Sequence, residues 1–260
     1  MKKLIFTLAI LFTGLLANHA NAQANVATAP QKCYRLPKLD EHSIILDSAG
    51  KKLDYTVWTS LVSTGWFCPK VVLMPNGKGA IKLIKLTTEQ RNAKLAQMPK
   101  PADSPYFTTG ETFKQHFKEK DFNGNVWDTK RLKGKIIVLS FWYVNNVNCR
   151  MQIPDLNNLA ATYKSDGDVV FLSIPLDDKK TVEDFLTIEP LNYKHLEKGK
   201  NISDKMGVIS HPTDVVIDKE GKVQYHTTGY SAANSLWIAK TIEQIKAPVK
   251  EEEILAANKY

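Results

Sequence analysis

The feature that most constrains the fold is an uncharged apolar run that leads through a polar turn into apolar residues at helical spacing. Residues 136–142 read Ile-Ile-Val-Leu-Ser-Phe-Trp, which is rich in β-branched and aromatic side chains. After a polar turn over 143–148, apolar side chains recur at the spacing of one helix face, at Ile153, Leu156, Leu159 and Tyr163. The pattern predicts a buried strand, a tight loop and a helix. Cys149 lies in the first turn of this helix, where free backbone N–H groups and the helix dipole favour an anion.

A second motif follows about 60 residues later and reads Ile-Ser-His-Pro-Thr-Asp-Val-Val-Ile-Asp-Lys-Glu-Gly-Lys-Val over residues 209–223. Its apolar stretch predicts a strand, and Asp218 to Gly221 predict a tight turn. Residues 223–228 then return as a second strand, so this motif is a β-hairpin.

Together the two motifs resemble the active-site segments of thioredoxin-fold proteins, in particular the extracytoplasmic TlpA/ResA-type thiol-disulfide oxidoreductases of the redoxin (AhpC/TSA) superfamily. That family reads Phe-Trp-x-x-Trp-Cys-x-x-Cys-Arg/Lys-x-Glu-x-Pro, and the residues that match it are Phe141, Trp142, Cys149, Arg150, Pro154 and Leu156. The second motif matches the family's x-Pro-Thr-x-x-x-Ile-Asp-x-x-Gly-x-Val, in which the proline is cis and lies against the cysteines. For roughly residues 105–247 the resemblance implies an α/β, thioredoxin-like fold, with a central mixed sheet flanked by helices.

The chain departs from the family pattern at four positions of the first motif. Asn145 replaces the tryptophan, Asn146 the first cysteine, Asn148 the proline and Gln152 the acidic residue. Disulfide exchange needs one thiol to attack and a second to release the mixed disulfide. The resemblance gives Cys149 only the second, resolving role. Because asparagine is a favoured N-cap residue, we expect Asn146 to accept a hydrogen bond from the N–H of Asn148 or Cys149.

Two functions fit these departures. The first is a redox-impaired family member that binds a protein or peptide client in a groove formed by 145–149 and 211–213, with an extended peptide pairing beside the proline. The groove residues are predicted to be Trp142, His211, Pro212 and Thr213. The alternative is a monothiol-disulfide oxidoreductase that uses Cys149, whose pKa the helix dipole would lower and burial would raise. Neither reading needs a cofactor, and one Cys with one His is too few for a zinc site.

The first residues predict export. Lys2 and Lys3 precede an apolar run over 4–17, and Ala20-Asn21-Ala22 forms a cleavage pattern, so residues 1–22 are expected to be a signal peptide. The run is too short to span a bilayer comfortably, and the processed protein is expected to be periplasmic, with no membrane-spanning segment. The chain has a net charge of +8, but its basic residues are spread among acids rather than clustered in a stripe, which argues against nucleic-acid binding.

The three cysteines Cys33, Cys68 and Cys149 survive signal cleavage. In an oxidising compartment an odd number predicts one pair and one free thiol. We expect a structural disulfide between Cys33 and Cys68, because it would close a loop of about 35 residues and contribute roughly 4 kcal/mol in the chain-entropy model. A redox-active pair is the alternative, but the spacing is unlike that of a two-residue catalytic motif.

Prolines, glycines, helix caps and stretches of small polar residues predict where the domains begin and end. A small polar leader over 23–32, expected to be disordered, precedes a small α+β N-terminal domain over 33–98. A helix closed by Gly65, a hairpin over 66–86 and a Thr87–Gln90 capping box are its main features. The remaining segments are a proline-rich linker over 99–109, the thioredoxin-like domain over 110–247 and a charged C-terminal tail over 248–260.

Overall fold

A computed structural model describes residues 36–114 and 116–248 of the chain, and the described residues from Lys38 to Pro248 belong to one compact unit. The predicted signal peptide, leader and Cys33 lie outside the described residues, as do residues 249–260 of the tail. Within the described ranges, no helix is long and apolar enough to cross a membrane.

The first part of the described chain forms a four-stranded sheet with two helices. Its elements are β1 (Ile45–Leu46), β2 (Lys52–Leu53), α1 (Tyr55–Ser63), β3 (Phe67–Leu73), β4 (Gly79–Lys85) and α2 (Thr88–Ala96). The sheet order is β2-β1-β4-β3, and its small core consists of Ile45, Trp58 and Leu83. The predicted capping box opens α2, since Thr87 accepts from the Gln90 N–H and Gln90 accepts from the Thr87 N–H. Gly65 follows α1 at φ +74, which a residue with a Cβ adopts only with strain.

The second part contains the predicted central strand in the middle of a mixed sheet. Its elements are β5 (Lys118–Lys120), β6 (Val126–Asp128), β7 (Ile136–Trp142), α3 (Val147–Thr162), β8 (Val169–Pro175), α4 (Lys179–Leu186), β9 (Lys194–His195), α5 (Gly199–Met206), β10 (Thr213–Ile217), β11 (Val223–Thr228) and α6 (Asn234–Lys246). The five-stranded order is β11-β10-β7-β8-β9. Strands β7, β8 and β9 are parallel, whereas β10 is antiparallel to both of its neighbours.

Helices cover both faces of this sheet. On one face α3, α4 and α6 pack over a core that includes Leu156, Val182 and Ile238. On the other face α5 and the segment around Phe117 cover a second core. All seven residues of β7 are buried, as expected of a central strand with helices on both sides. The predicted α/β, thioredoxin-like fold is confirmed.

Two elements after β8 differ from the sequence prediction. The connection predicted over 189–200 contains β9, which pairs with Leu172 and Ser173 of β8. The helix predicted from Ser203 begins earlier, at Gly199. This glycine lies directly against the Pro175 carbonyl, where a Cβ would come within 2.0 Å of the oxygen. Both differences arise from contacts with β8 that no local pattern reveals.

A buried ion pair connects the two parts of the chain. Arg91 of α2 donates to Asp155 of α3 at 2.7 Å, and the two side chains are only 7% and 11% exposed. The Arg91 guanidinium also donates to the Thr64 carbonyl at 3.1 Å and lies over the Trp66 ring. Burial raises the pKa of Asp155, although the positive charge of Arg91 opposes this effect. Removing either residue of the pair is therefore expected to lower the free energy of unfolding.

We predict that Arg91→Met lowers the free energy of unfolding by about 3–5 kcal/mol, because it leaves the Asp155 carboxylate buried without a partner. Urea denaturation followed by tryptophan fluorescence measures this loss. The matched control is Lys200→Met, which removes the exposed ion pair with Asp204 and should cost less than about 1 kcal/mol. Equal, small losses in the two variants would contradict the buried-pair interpretation.

Candidate functional site

Asn146 is the N-cap of α3 and also contacts the loop before β10. Its Oδ1 accepts from the Cys149 N–H at 3.1 Å, as the sequence predicts. Its Nδ2 donates to the His211 carbonyl at 3.2 Å, a contact across 65 positions that the sequence does not indicate. The peptide bond between His211 and Pro212 is cis, as the resemblance implies. The amide thus joins the helix start to the loop that carries the cis proline.

Cys149 lies beneath this amide and is only 1% exposed. Burial raises the pKa of its thiol to about 12, and the carboxylates of Asp214 and Asp177 add to this effect. A backbone hydrogen bond at Tyr143 acts in the opposite direction but is outweighed. The sequence left open whether the helix dipole lowers the pKa of this thiol or burial raises it. In the structure the effect of burial is the larger. The thiol is therefore protonated at neutral pH and shielded from solvent.

The surface around the cis proline combines exposed amides with exposed apolar side chains. Asn145 and Asn148 are exposed in the loop and first turn of α3. Val147 between them is 67% exposed, and Ile209 on the opposite loop is 82% exposed. The half-buried ring of His211 meets the Tyr143 ring edge-on at 5.7 Å between centroids. These residues form the accessible part of the predicted groove.

Three of the predicted groove residues lie beneath this surface instead. Trp142 is buried, and its Nε1 donates to the Ser173 Oγ at 2.6 Å. Pro212 is buried, and so is Thr213, whose Oγ1 donates to the Ser210 carbonyl at 2.7 Å. Because β7 is covered on both faces, its last residue, Trp142, is held inside the domain. Trp142 supports the groove from within.

A buried polar cluster behind Cys149 was not predicted from the sequence. Asp214 of β10 lies opposite Ser140 of β7 and is completely buried. The Asn234 Nδ2 donates to the Asp214 Oδ2 at 2.6 Å and, at 3.4 Å, to the Oε1 of buried Gln152. The Tyr225 hydroxyl donates to the Asn234 Oδ1 at 2.8 Å. Gln152, singled out in the sequence, is therefore one member of a network centred on Asn234.

Asp214 is the titratable member of this network. Burial raises its pKa from 3.8 to about 6, while the hydrogen bond that the Asn234 Nδ2 donates favours its charged form. The sequence contained a signal for it, because an acid at the second position of the apolar strand Thr-Asp-Val-Val-Ile conflicts with that strand's burial. Within the described ranges, no three His, Cys, Asp or Glu side chains come together as a group that could hold a metal ion.

We predict that Asp214 makes the protein less stable as the pH rises from about 4 to about 6. The folded state binds the proton more tightly than the unfolded state does, so the free energy of unfolding falls through this window by roughly 2–3 kcal/mol. Asp214→Asn should remove this fall, and urea denaturation between pH 4 and pH 7 measures it. Asp204→Asn, which changes an exposed carboxylate, should keep the wild-type pH dependence. An unchanged pH dependence in Asp214→Asn would show that Asp214 is not the group responsible.

The chain is similar in sequence to known thiol-disulfide oxidoreductases. Residues 110–226 match the model of the AhpC/TSA family. The chain is 30% identical over 138 residues to the thiol-disulfide oxidoreductase ResA of Bacillus thuringiensis, covering 50% of this chain and 79% of the relative. It is 31% identical to ResA of Bacillus cereus, covering 46% and 70%.

Solved structures with a similar arrangement cover the same half of the chain. One is the thioredoxin domain of a thiol-disulfide oxidoreductase from Bacteroides vulgatus, with 17% identity, a TM-score of 0.46 and coverage of 52% of this chain and 97% of that one. Another is StoA from Bacillus subtilis, with 20% identity, a TM-score of 0.42 and coverage of 48% and 96%.

Proposed function

The chain belongs to the family of ResA-type thiol-disulfide oxidoreductases, and from this premise we propose that it is a redox-impaired member that binds a protein or peptide client. The client lies beside the cis proline, in the groove formed by 145–149 and 211–213. Trp142, Pro212 and Thr213 support this groove from beneath. The protein acts by binding and needs no cofactor.

The state of Cys149 carries this proposal. Disulfide exchange requires a thiolate that can reach the client's sulfur and a second thiol that releases it. Asn146 stands where the family has the attacking cysteine, and an amide forms no bond to sulfur. Cys149 is 1% exposed and its pKa is raised to about 12, so it is neither accessible nor ionised at neutral pH. Both properties also argue against the alternative, a monothiol oxidoreductase that uses Cys149.

The accessible part of the groove supports binding of an extended segment. The His211 N–H forms no hydrogen bond with any residue in the described ranges, so it is free to donate to a client's backbone. The His211 carbonyl accepts from Asn146, but a carbonyl oxygen has two lone pairs and can accept a second bond. Val147 and Ile209, exposed on either side, favour apolar client side chains. We therefore expect a client strand that pairs with the backbone at His211.

The compartment is part of the same proposal. The signal-peptide pattern over 1–22 supports export and a periplasmic location for the processed protein. The disulfide between Cys33 and Cys68 would follow from that location. Cys68 is half-buried on β3, and its predicted partner lies outside the described residues.

We predict that the groove binds the reduced and alkylated insulin B chain, an extended probe that has no thiol. The double variant Val147→Asp/Ile209→Asp should weaken binding at least about tenfold, equivalent to about 1.4 kcal/mol, because both apolar walls become charged. Fluorescence anisotropy of the labelled peptide measures the affinity. Leu73→Asp, at a 65% exposed position on β3, and Cys149→Ser should bind like the wild type. Failure of the wild type to bind, or equal binding by the double variant, would refute the groove as the client site.

Insulin reduction with dithiothreitol tests the redox part separately. Wild type and Cys149→Ser should give the same background rate, because Cys149 does not attack disulfides. Asn146→Cys should give a rate above both, since it restores the Cys-x-x-Cys spacing at the start of α3. Turnover by the wild type above that of Cys149→Ser would refute redox impairment and favour the monothiol alternative.

A further inference from the structure

The outer edge of the five-stranded sheet is only partly paired. Strand β9 pairs with Leu172 and Ser173 of β8, so the first three residues of β8, 169–171, have no neighbouring strand on that side within the described ranges. A groove of about 640 Å³ lies along this stretch. Unpaired strand edges present free backbone donors and acceptors, which native proteins usually cover.

The walls of this edge groove come from both faces of the sheet. Tyr163 and Phe171 belong to the core beneath α3, whereas Trp127 and Val170 belong to the core on the opposite face. The groove therefore lies in the plane of the sheet, in the position of a further strand. The hydroxyl of Tyr193, which also lines the groove, is buried and has no hydrogen-bond partner among the described residues.

Two lysines give the rim of the edge groove a positive charge. Lys164 follows α3 and Lys194 begins β9, and both are exposed. Neither forms an ion pair with any residue in the described ranges. An occupant of this groove should therefore combine apolar side chains for the aromatic walls with negative charge for the rim.

The C-terminal tail has this composition, and the helix that precedes it ends beside the groove. Lys246, the last residue of α6, pairs with Asp166 just before β8, and its ammonium group lies 5.6 Å from the ring centroid of Tyr163, which lines the groove. Residues 249–260 follow and read Val-Lys-Glu-Glu-Glu-Ile-Leu-Ala-Ala-Asn-Lys-Tyr. Twelve extended residues span up to about 40 Å, whereas three strand residues need only about 10 Å.

We propose that residues 249–260 fold back into the edge groove of their own chain. Glu251–Glu253 face Lys164 and Lys194, and Ile254 and Leu255 contact the aromatic walls beside 169–171. Since the tail starts at the end of the groove where β8 begins, it runs in the same direction as β8. It thereby covers a sheet edge that is otherwise open to a second chain.

Hydrogen exchange measured by mass spectrometry tests this docking on the full processed chain and on a chain that ends at Pro248. Truncation should accelerate exchange in peptides that cover 169–171 at least about tenfold, while peptides from β10 should exchange as before. Adding the synthetic peptide 249–260 to the truncated chain should restore the slow exchange. Identical exchange in the two chains would overturn the proposal.

Charge reversal identifies the occupant. Changing Glu251, Glu252 and Glu253 to Lys should accelerate exchange at 169–171, and adding Lys164→Glu and Lys194→Glu should reverse the effect. Lys70→Glu/Lys78→Glu, at exposed positions of β3 and of the turn that follows it, is the matched control for added charge and should not restore protection. If protection of 169–171 in the full chain rises with protein concentration, the occupant is a second copy, and the intramolecular docking is wrong.

Discussion

The two hydrogen bonds of the Asn146 side chain hold the site together. One amide atom accepts from the Cys149 N–H in the first turn of α3, and the other donates to the His211 carbonyl beside the cis proline. A thiol at this position is only a weak donor and a weak acceptor, so it could not form both contacts with similar strength. The residue that stands in place of the attacking sulfur therefore adds a structural connection between the helix and the β10 loop.

Burial shifts the pKa values of the two titratable groups that lie beneath Asn146, Cys149 and Asp214. It raises the pKa of the Cys149 thiol and of the Asp214 carboxyl, and the charge of Asp214 further disfavours a thiolate nearby. Gln152 contributes an amide to the same network, where an acid would have placed a second titratable group close to Asp214. At neutral pH the Cys149 thiol is thus uncharged, whereas Asp214, with a pKa of about 6, is largely ionised.

The sequence predicted those features that depend on neighbouring residues. The uncharged, largely apolar run of β7 and the helical spacing of α3 are local signals, as is the N-cap role of Asn146. Features that depend on distant contacts were missed: β9 has two residues and no periodicity of its own, and the position of Gly199 is set by Pro175. Trp142 was placed in the groove by resemblance, but the helices on both faces of the sheet bury it.

The ion pair between Arg91 and Asp155 limits how this protein can change by recombination. Each partner lies in a different part of the chain, and both side chains are almost fully buried in the folded protein. A chimera that joins the first sheet to another thioredoxin-like domain would bury one charge opposite a non-complementary surface. A recombined chain would therefore need matching residues at positions 91 and 155. The two parts depend on each other in this way even though a proline-rich segment joins them.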